Sequence, residues 1–278
     1  MNQLLTKILT RVRNTAGSIL EAKSGPAFLI NRRLLKMAAK MPRRTPGEFS
    51  FPFGTVSFVD AMSLQGQYRE IFIDRIYEFS GDGQSPRILD CGGNIGMSVI
   101  WFKQRYPRSR ITVFEADPRI ADVLHRNVAR LDGVEVIRGA VWTEAGFVRF
   151  EPDSADGGRV SGSEQSKPVP AVSLADAIVE DIDFLKMDIE GAEYAVLADL
   201  HEKGKLDRVK RIACEIHGRK DDGAGLGRLF SALGRAGFQL TIAWGGASPA
   251  IVGAPEPTPF PAVVDGKFLL HLYAWKTP

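Results

Sequence analysis

Only two cysteines, Cys91 and Cys214, occur in 278 residues. They fall in different strand-like segments, so no disulfide framework holds the chain together, and a reducing cytoplasm is the expected setting. Long apolar runs are lacking as well. No stretch approaches the roughly 20 residues that span a bilayer. Lys7, Arg11 and Arg13 also break up the apolar start before it reaches the length of a signal peptide. Neither secretion nor a membrane-spanning helix is expected, and there is no internal repeat. Excess charge is small, +3 overall with 25% charged and 44% hydrophobic residues, which places the chain among ordinary globular proteins and excludes a disordered one.

The charge is unevenly distributed. Residues 1–44 carry Lys7, Arg11, Arg13, Lys23, Arg32, Arg33, Lys36, Lys40, Arg43 and Arg44 against Glu21 alone, about +9, which leaves the remainder acidic. Leu5, Ile8, Leu9 and Val12 follow helical spacing, and a second apolar group runs from Phe28 through Leu34, Leu35 and Met37 to Met41. Pro42, Pro46 and Gly47 then mark a boundary. The expected organisation is therefore a basic helical extension over 1–47 and a main domain over 48–278. The extension reads as a packing arm or lid, or as a peripheral contact with an anionic membrane surface or acidic substrate.

From residue 86 onward, strand-like and helix-like segments alternate, the pattern of a doubly wound, mainly parallel α/β sheet. Strands are expected at Arg87–Asp90, Arg110–Glu115, Val134–Arg138, Phe184–Ile189, Arg211–Ile216, Phe238–Ile242 and Lys267–Trp275. The last two are expected to pair antiparallel. Helices are expected at Ile95–Tyr106, Ile120–Leu131, Ala192–His201 and Leu226–Ala236. The Ser-, Gly- and Asp-rich stretch Asp153–Ser166 reads as a mobile surface loop, flanked by short strands at Phe147–Phe150 and Val169–Val172.

The sharpest local signal is Ile88-Leu89-Asp90-Cys91-Gly92-Gly93-Asn94-Ile95-Gly96, a strand running through a glycine turn into a helix. Glycines let a ligand approach the backbone, and the helix presents its positive end. Glu115 follows at the end of the next strand, where a carboxylate can accept both hydroxyls of a ribose. A nucleoside is the natural ligand. A dinucleotide would require Gly-x-Gly-x-x-Gly, but Cys91 stands where its first glycine belongs. Asp90 would repel a pyrophosphate and would suit the ammonium of a methionine moiety, which favours S-adenosylmethionine.

A second run, Asp183-Phe184-Leu185-Lys186-Met187-Asp188-Ile189-Glu190-Gly191-Ala192-Glu193, stands with Ala213-Cys214-Glu215-Ile216-His217 further on. With the glycine motif, these closely resemble the FkbM family of methyltransferases, from about Met62 to Trp275. The resemblance implies a Rossmann-like class I methyltransferase with a seven-stranded sheet and S-adenosylmethionine as cofactor. It also implies that Asp90, Gly92, Gly93, Asn94 and Gly96 hold the methionine end and Glu115 the ribose. The segment around Ala140 would meet the adenine, and Gln65 and Tyr68 would close over the cofactor. Cys91-Gly92-Gly93 departs from the Val-Gly-Ala of many relatives, a change that preserves the turn.

Sheet topology brings Asp188 and Glu215 to the ends of adjacent strands, near the methyl group's destination. Methyl transfer to an alcohol needs the nucleophile aligned and its proton removed. His217 can take that proton directly. Alternatively, Asp188 and Glu215 can hold a divalent cation such as Mg²⁺ that acidifies the acceptor. The expected catalytic set is His217, Asp188 and Glu190, although Glu190 and Glu193 can equally charge the first turn of a helix. Lys186 reads as an ion-pair partner or a substrate contact. His125, His201 and His271 show no convergent partners.

The expected activity is O-methylation of a sugar, glycan or other small-molecule hydroxyl. The competing reading is an idle module that docks on a membrane or protein partner. Nucleic acid is not expected as a substrate, because a basic, aromatic-interleaved face is missing. The Asn-Pro-Pro-Tyr-like wording of base amino methylation is missing too. Acceptor specificity falls to loops such as Asp153–Ser166 and to the basic arm.

Overall fold

A computed structural model of the protein describes residues 25–80, 85–153, 158–160, 162–163, 165–219, 222–244 and 267–277. Internal packing divides the chain into two units, the first ending at Arg75 and the second beginning at Ile76. Residues 48–75 thus group with the basic arm and not with the sheet. The helix expected around Leu5–Val12 lies outside the described residues.

In the first unit, Pro26 opens helix α1 (Pro26–Ala38), where its missing amide costs no hydrogen bond. Leu34 and Ala38 are its buried residues. A hairpin follows, β1 (Gly47–Phe51) against β2 (Gly54–Phe58). Asp60 then caps α2 (Ala61–Tyr68) by accepting from the amides of Met62 and Ser63.

The second unit follows the expected alternation. Its elements begin with β3 (Arg87–Cys91), α3 (Met97–Arg105), β4 (Arg110–Glu115), α4 (Pro118–Val128) and β5 (Val134–Arg138). Then come β6 (Ala140–Trp142), β7 (Gly146–Glu151), β8 (Arg159–Val160), β9 (Lys167–Ser173) and the short α5 (Leu174–Ala177). The chain continues through β10 (Phe184–Met187), α6 (Glu193–Glu202), β11 (Arg211–Arg219), α7 (Gly223–Arg235), β12 (Gln239–Trp244) and β13 (Lys267–Trp275). Helix α4 starts where the residues direct it to, with Asp117 accepting from the Arg119 amide and Pro118 in the first turn.

The main sheet has seven strands in the order β12-β13-β11-β10-β3-β4-β5. Only β13 runs against the others, pairing antiparallel with both β11 and β12. This is the doubly wound, mainly parallel sheet expected from the sequence. The four-residue β10 is buried at every position, as a central parallel strand must be. One face of the sheet packs Leu185, Met187, Ile212, Cys214 and Leu272 into the core with Leu197 of α6 and Leu229 of α7. Each such side chain contributes about 1.5–3 kcal/mol on burial.

A second sheet of four strands, in the order β6-β9-β7-β8, was not fully legible. Part of the stretch expected to be a mobile loop is strand instead: Val160 pairs with Phe150 and Arg159 with Glu151. The ring of Phe150 packs so closely over Gly158 that a Cβ there would lie 2.6 Å from it.

Candidate active site

After β3 the chain winds outward to β4 and β5, then returns on the other side through β10. This reversal opens a crevice at the carboxyl ends of β3 and β10, the place where doubly wound sheets bind ligands. The glycine turn after β3 closes one side. Gly92 has φ +85°, and a Cβ there would run into the carbonyl of Asp188, so only glycine lets this turn lie against the backbone leaving β10.

A cavity partly open to solvent fills the crevice. Its polar end is bounded by Gly92, Asn94, Glu115, Asp188 and Glu190, and its apolar end by Ile120, Ala140, Val141, Phe150 and Val160. Sequence reasoning missed Phe150 and Val160 as lining residues, because the two-residue β8 has no periodicity to read and nothing local says that Phe150 of β7 faces the crevice. Gly93 and Gly96 do not border this cavity. Gly93 makes room for Val113 of β4, which would lie 2.2 Å from an added Cβ, and Gly96 for Leu124 of α4, at 2.8 Å.

Glu115 ends β4 with one oxygen accepting from the Asn94 amide at 2.8 Å and the other from the Asp117 amide at 2.9 Å. A carboxylate offers about four lone-pair directions, so two remain for ligand hydroxyls. Burial pushes its pKa up to about 7 despite the two amide bonds, which favour the charged form.

Asp90 lies near the end of β3, just before the glycine turn. Its carboxylate is fully buried, with Lys186 Nζ 3.0 Å from Oδ1 and Ser98 Oγ donating to Oδ2 at 2.5 Å. Lys186 is therefore the ion-pair partner of Asp90, and it is itself buried.

Beyond Gly92, the turn after β10 gathers charged groups. Glu193 is fully buried at the start of α6, and its carboxylate accepts from the amides of Ile189 at 3.0 Å and Gly191 at 2.9 Å. That double acceptance folds the turn tightly enough to hold Glu190 at φ +56°, a left-handed conformation that costs a non-glycine residue about 1–2 kcal/mol. The carboxylate of Glu190 then lies 3.4 Å from His217 Nε2, and that of Asp188 3.9 Å away. Glu193 holds the opposite nitrogen, Nδ1, at 3.1 Å. Burial alone would lower the imidazole pKa. The Glu193 hydrogen bond and the charges of Glu193, Glu190 and Asp188 outweigh it and push the pKa up to about 10. Asp188 is held well above the usual carboxylate range, by burial first and then by the charge of Glu215.

The structure thus brings together all three expected catalytic residues. Ligand atoms of Asp188, Glu190 and His217 lie within 4.8 Å of one another, close enough to hold a metal ion. Glu215, expected to be the second cation ligand, is not in this cluster. Tyr77 donates its hydroxyl to Glu215 at 2.5 Å, and His271 Nε2 lies 3.6 Å from the other oxygen. Those contacts hold its carboxyl below the ordinary range against the effect of burial. His271, which showed no partner in the sequence, has one here because β13 inserts beside β11 with His271 opposite Glu215.

A second cavity, of about 530 Å³ and open to solvent, is bordered by Arg159, Glu190, His217, Gly218, Phe268 and Leu269. Glu190 borders both cavities. Gln65 and Tyr68, expected to close over a cofactor, belong to the first unit. There Gln65 donates to Asn31 at 2.9 Å, and Tyr68 is buried in a stack with Phe51 and Phe72.

Comparison with known proteins agrees with this geometry. Residues 90–240 match the methyltransferase FkbM domain. Methyltransferase sdnD of Sordaria araneosa is 28% identical over 52% of this chain and 72% of its own. The 31-O-demethyl-FK506 methyltransferase FkbM of Streptomyces tacrolimicus is 30% identical over 67% of this chain and 86% of its own. The 2-O-methyltransferase NoeI of Sinorhizobium fredii is 31% identical over 41% and 56%, respectively. By its fold, by the residues gathered at its strand ends and by these matches, the chain belongs to the FkbM family of methyltransferases.

Proposed function

We propose that the protein transfers the methyl group of S-adenosylmethionine to a hydroxyl oxygen of a sugar, glycan or other small-molecule acceptor. The observation that carries this reading is the meeting of two cavities at Glu190, with His217 bordering one and Asp188 the other. The first cavity suits the cofactor, with Glu115 for the ribose and the Ala140–Phe150 end for the adenine. The second suits the acceptor, with Phe268 and Leu269 as an apolar wall.

In this reading the acceptor oxygen attacks the methyl carbon as the carbon–sulfur bond breaks, and the sulfonium becomes the thioether of S-adenosylhomocysteine. The hydroxyl proton passes to Asp188, while the already protonated His217 offsets the carboxylate charge around it. Oxygen as the methylated atom is also supported by the names of two relatives, one a 31-O- and one a 2-O-methyltransferase. The spacing of Asp188, Glu190 and His217 favours a second route to the same end: a divalent cation such as Mg²⁺ held there would acidify the acceptor hydroxyl.

The test is calorimetric titration with S-adenosylmethionine, S-adenosylhomocysteine and NADH, with and without magnesium, followed by transfer of labelled methyl to a panel of glycans and hydroxylated small molecules. Binding of the adenosyl ligands and labelling of a hydroxyl are expected. Binding of NADH alone, or of no nucleotide, would overturn the reading. For the basic arm, exposed Leu29 and Leu35 beside Arg32, Arg33 and Lys36 support contact with an anionic membrane surface, which cosedimentation with anionic vesicles tests.

A further inference from the structure

Lys186 is the only charged side chain on β10, standing between Leu185 and Met187, and it is 3% exposed. An apolar side chain would fill that position without the cost of taking an ion out of water. What Lys186 does there is visible in its contacts. It stands level with Asp90 across the β10–β3 pairing, with Nζ 3.0 Å from Asp90 Oδ1. The same nitrogen donates to the carbonyl oxygen of Gly92 at 2.6 Å. It also lies 5.3 Å from the centre of the Tyr77 ring, whose hydroxyl is anchored by Glu215.

The amides of Gly92 and Gly93 meanwhile both donate to the Phe114 carbonyl, at 3.1 Å and 2.9 Å. The turn is therefore held from two strands at once, through its amides by β4 and through its carbonyl by β10. Asp90 Oδ2 accepts from Ser98, while Oδ1 lies 3.0 Å from Lys186 Nζ as an ion pair and accepts no hydrogen bond.

We propose that Lys186 is a positioning residue for the cofactor: with Asp90 as its counter-ion, it fixes the Gly92 carbonyl and so sets the shape of the turn on which the cofactor rests. Asp90 serves in this pair as the counter-ion that keeps the Lys186 ammonium beside the turn. The inference rests on the cofactor reading above.

The experiment separates positioning from simple charge neutralisation. Lys186→Met leaves Asp90 buried and unpaired, so it loses stability whichever view holds. The double variant Asp90→Asn with Lys186→Met removes both charges, and it is expected to melt within about 3 °C of wild type. It is nevertheless expected to bind S-adenosylhomocysteine at least about tenfold more weakly, because the Gly92 carbonyl has lost its donor. Lys186→Arg keeps the charge but replaces a compact ammonium with a planar fork, and the same loss is expected from it with folding intact. Wild-type affinity in either folded variant would overturn the inference alone. Failure of the wild-type protein itself to bind S-adenosylhomocysteine would overturn the cofactor reading together with it.

Discussion

His217 and Glu193 meet at 3.1 Å, ring Nδ1 to carboxylate Oε1, and this contact aims the opposite ring nitrogen at Asp188 and Glu190. Glu193 has a second duty, because the same carboxylate caps the turn that carries Glu190. Orientation of the imidazole and shape of the turn therefore depend on one buried group. Replacing it as Glu193→Gln should cost about 1.5–3 kcal/mol, the range for hydrogen bonds to a charged group, measured by urea unfolding. Methyl transfer to the acceptor identified by the panel should fall with it.

His217 borders the second cavity, proposed for the acceptor, and not the first. His217→Asn should therefore lower turnover by about 100-fold or more, the scale of losing one preorganised charge beside the reacting groups, while leaving S-adenosylhomocysteine affinity within about twofold. Equal losses of turnover and cofactor affinity would place the imidazole in the wrong role.

The pH dependence of cofactor binding should follow Glu115. Its folded-state pKa is raised to about 7, so the folded chain holds that proton more tightly than the unfolded one. Its contribution to stability is therefore fully present below the ordinary carboxylate pKa and is lost as pH rises through about 7. Ribose hydroxyls favour the charged form, so affinity should weaken by up to about tenfold per pH unit below pH 7, with proton release on binding at pH 6. Calorimetry in buffers of different ionisation enthalpy measures both, and a flat profile from pH 5 to 8 would remove Glu115 from the ribose contact.

Gly92→Ala should be among the most damaging substitutions in the chain. The new methyl group would meet the Asp188 carbonyl at a backbone angle of φ +85°. The conformational penalty alone is about 1–2 kcal/mol, and the clash adds to it. A lowered melting temperature together with lost adenosyl binding is expected.

Phe150→Ala tests the second sheet. The ring is 5% exposed, borders the apolar end of the first cavity and covers Gly158. Truncation should cost about 3–5 kcal/mol and weaken adenine-bearing ligands, whereas adenine-free methionine analogues should bind as before.

The parallel strands were legible because their signals are local. Arg87–Asp90 and Arg110–Glu115 each place an apolar run ahead of an acidic residue and a turn; the structure has the second strand with those bounds and carries the first one residue further, to Cys91. The antiparallel end was legible too, since β12 and β13 pair as expected across the proline-rich connection. The second sheet was harder to read. β8 has only two residues, too short for any periodicity, and it forms because Phe150 and Glu151 offer it an edge.

Within the site, Asp188, Glu190 and His217 could be named from their motifs, but not what surrounds them. Glu193 and His217 are 24 residues apart, and Tyr77 and Glu215 are 138 apart. Glu215 and His217 point to the same sheet face by strand alternation, so the sequence could not tell which would join Asp188. Tyr77 and His271 made that choice by engaging Glu215. Chain-local features, such as glycine turns, helix starts and strand polarity, follow from steric and hydrogen-bonding demands between near neighbours. The protonation of His217, the enclosure of Asp90 by Lys186 and Ser98, and the choice of Glu190 over Glu215 depend on strand register and packing, which bring together side chains that no local rule connects.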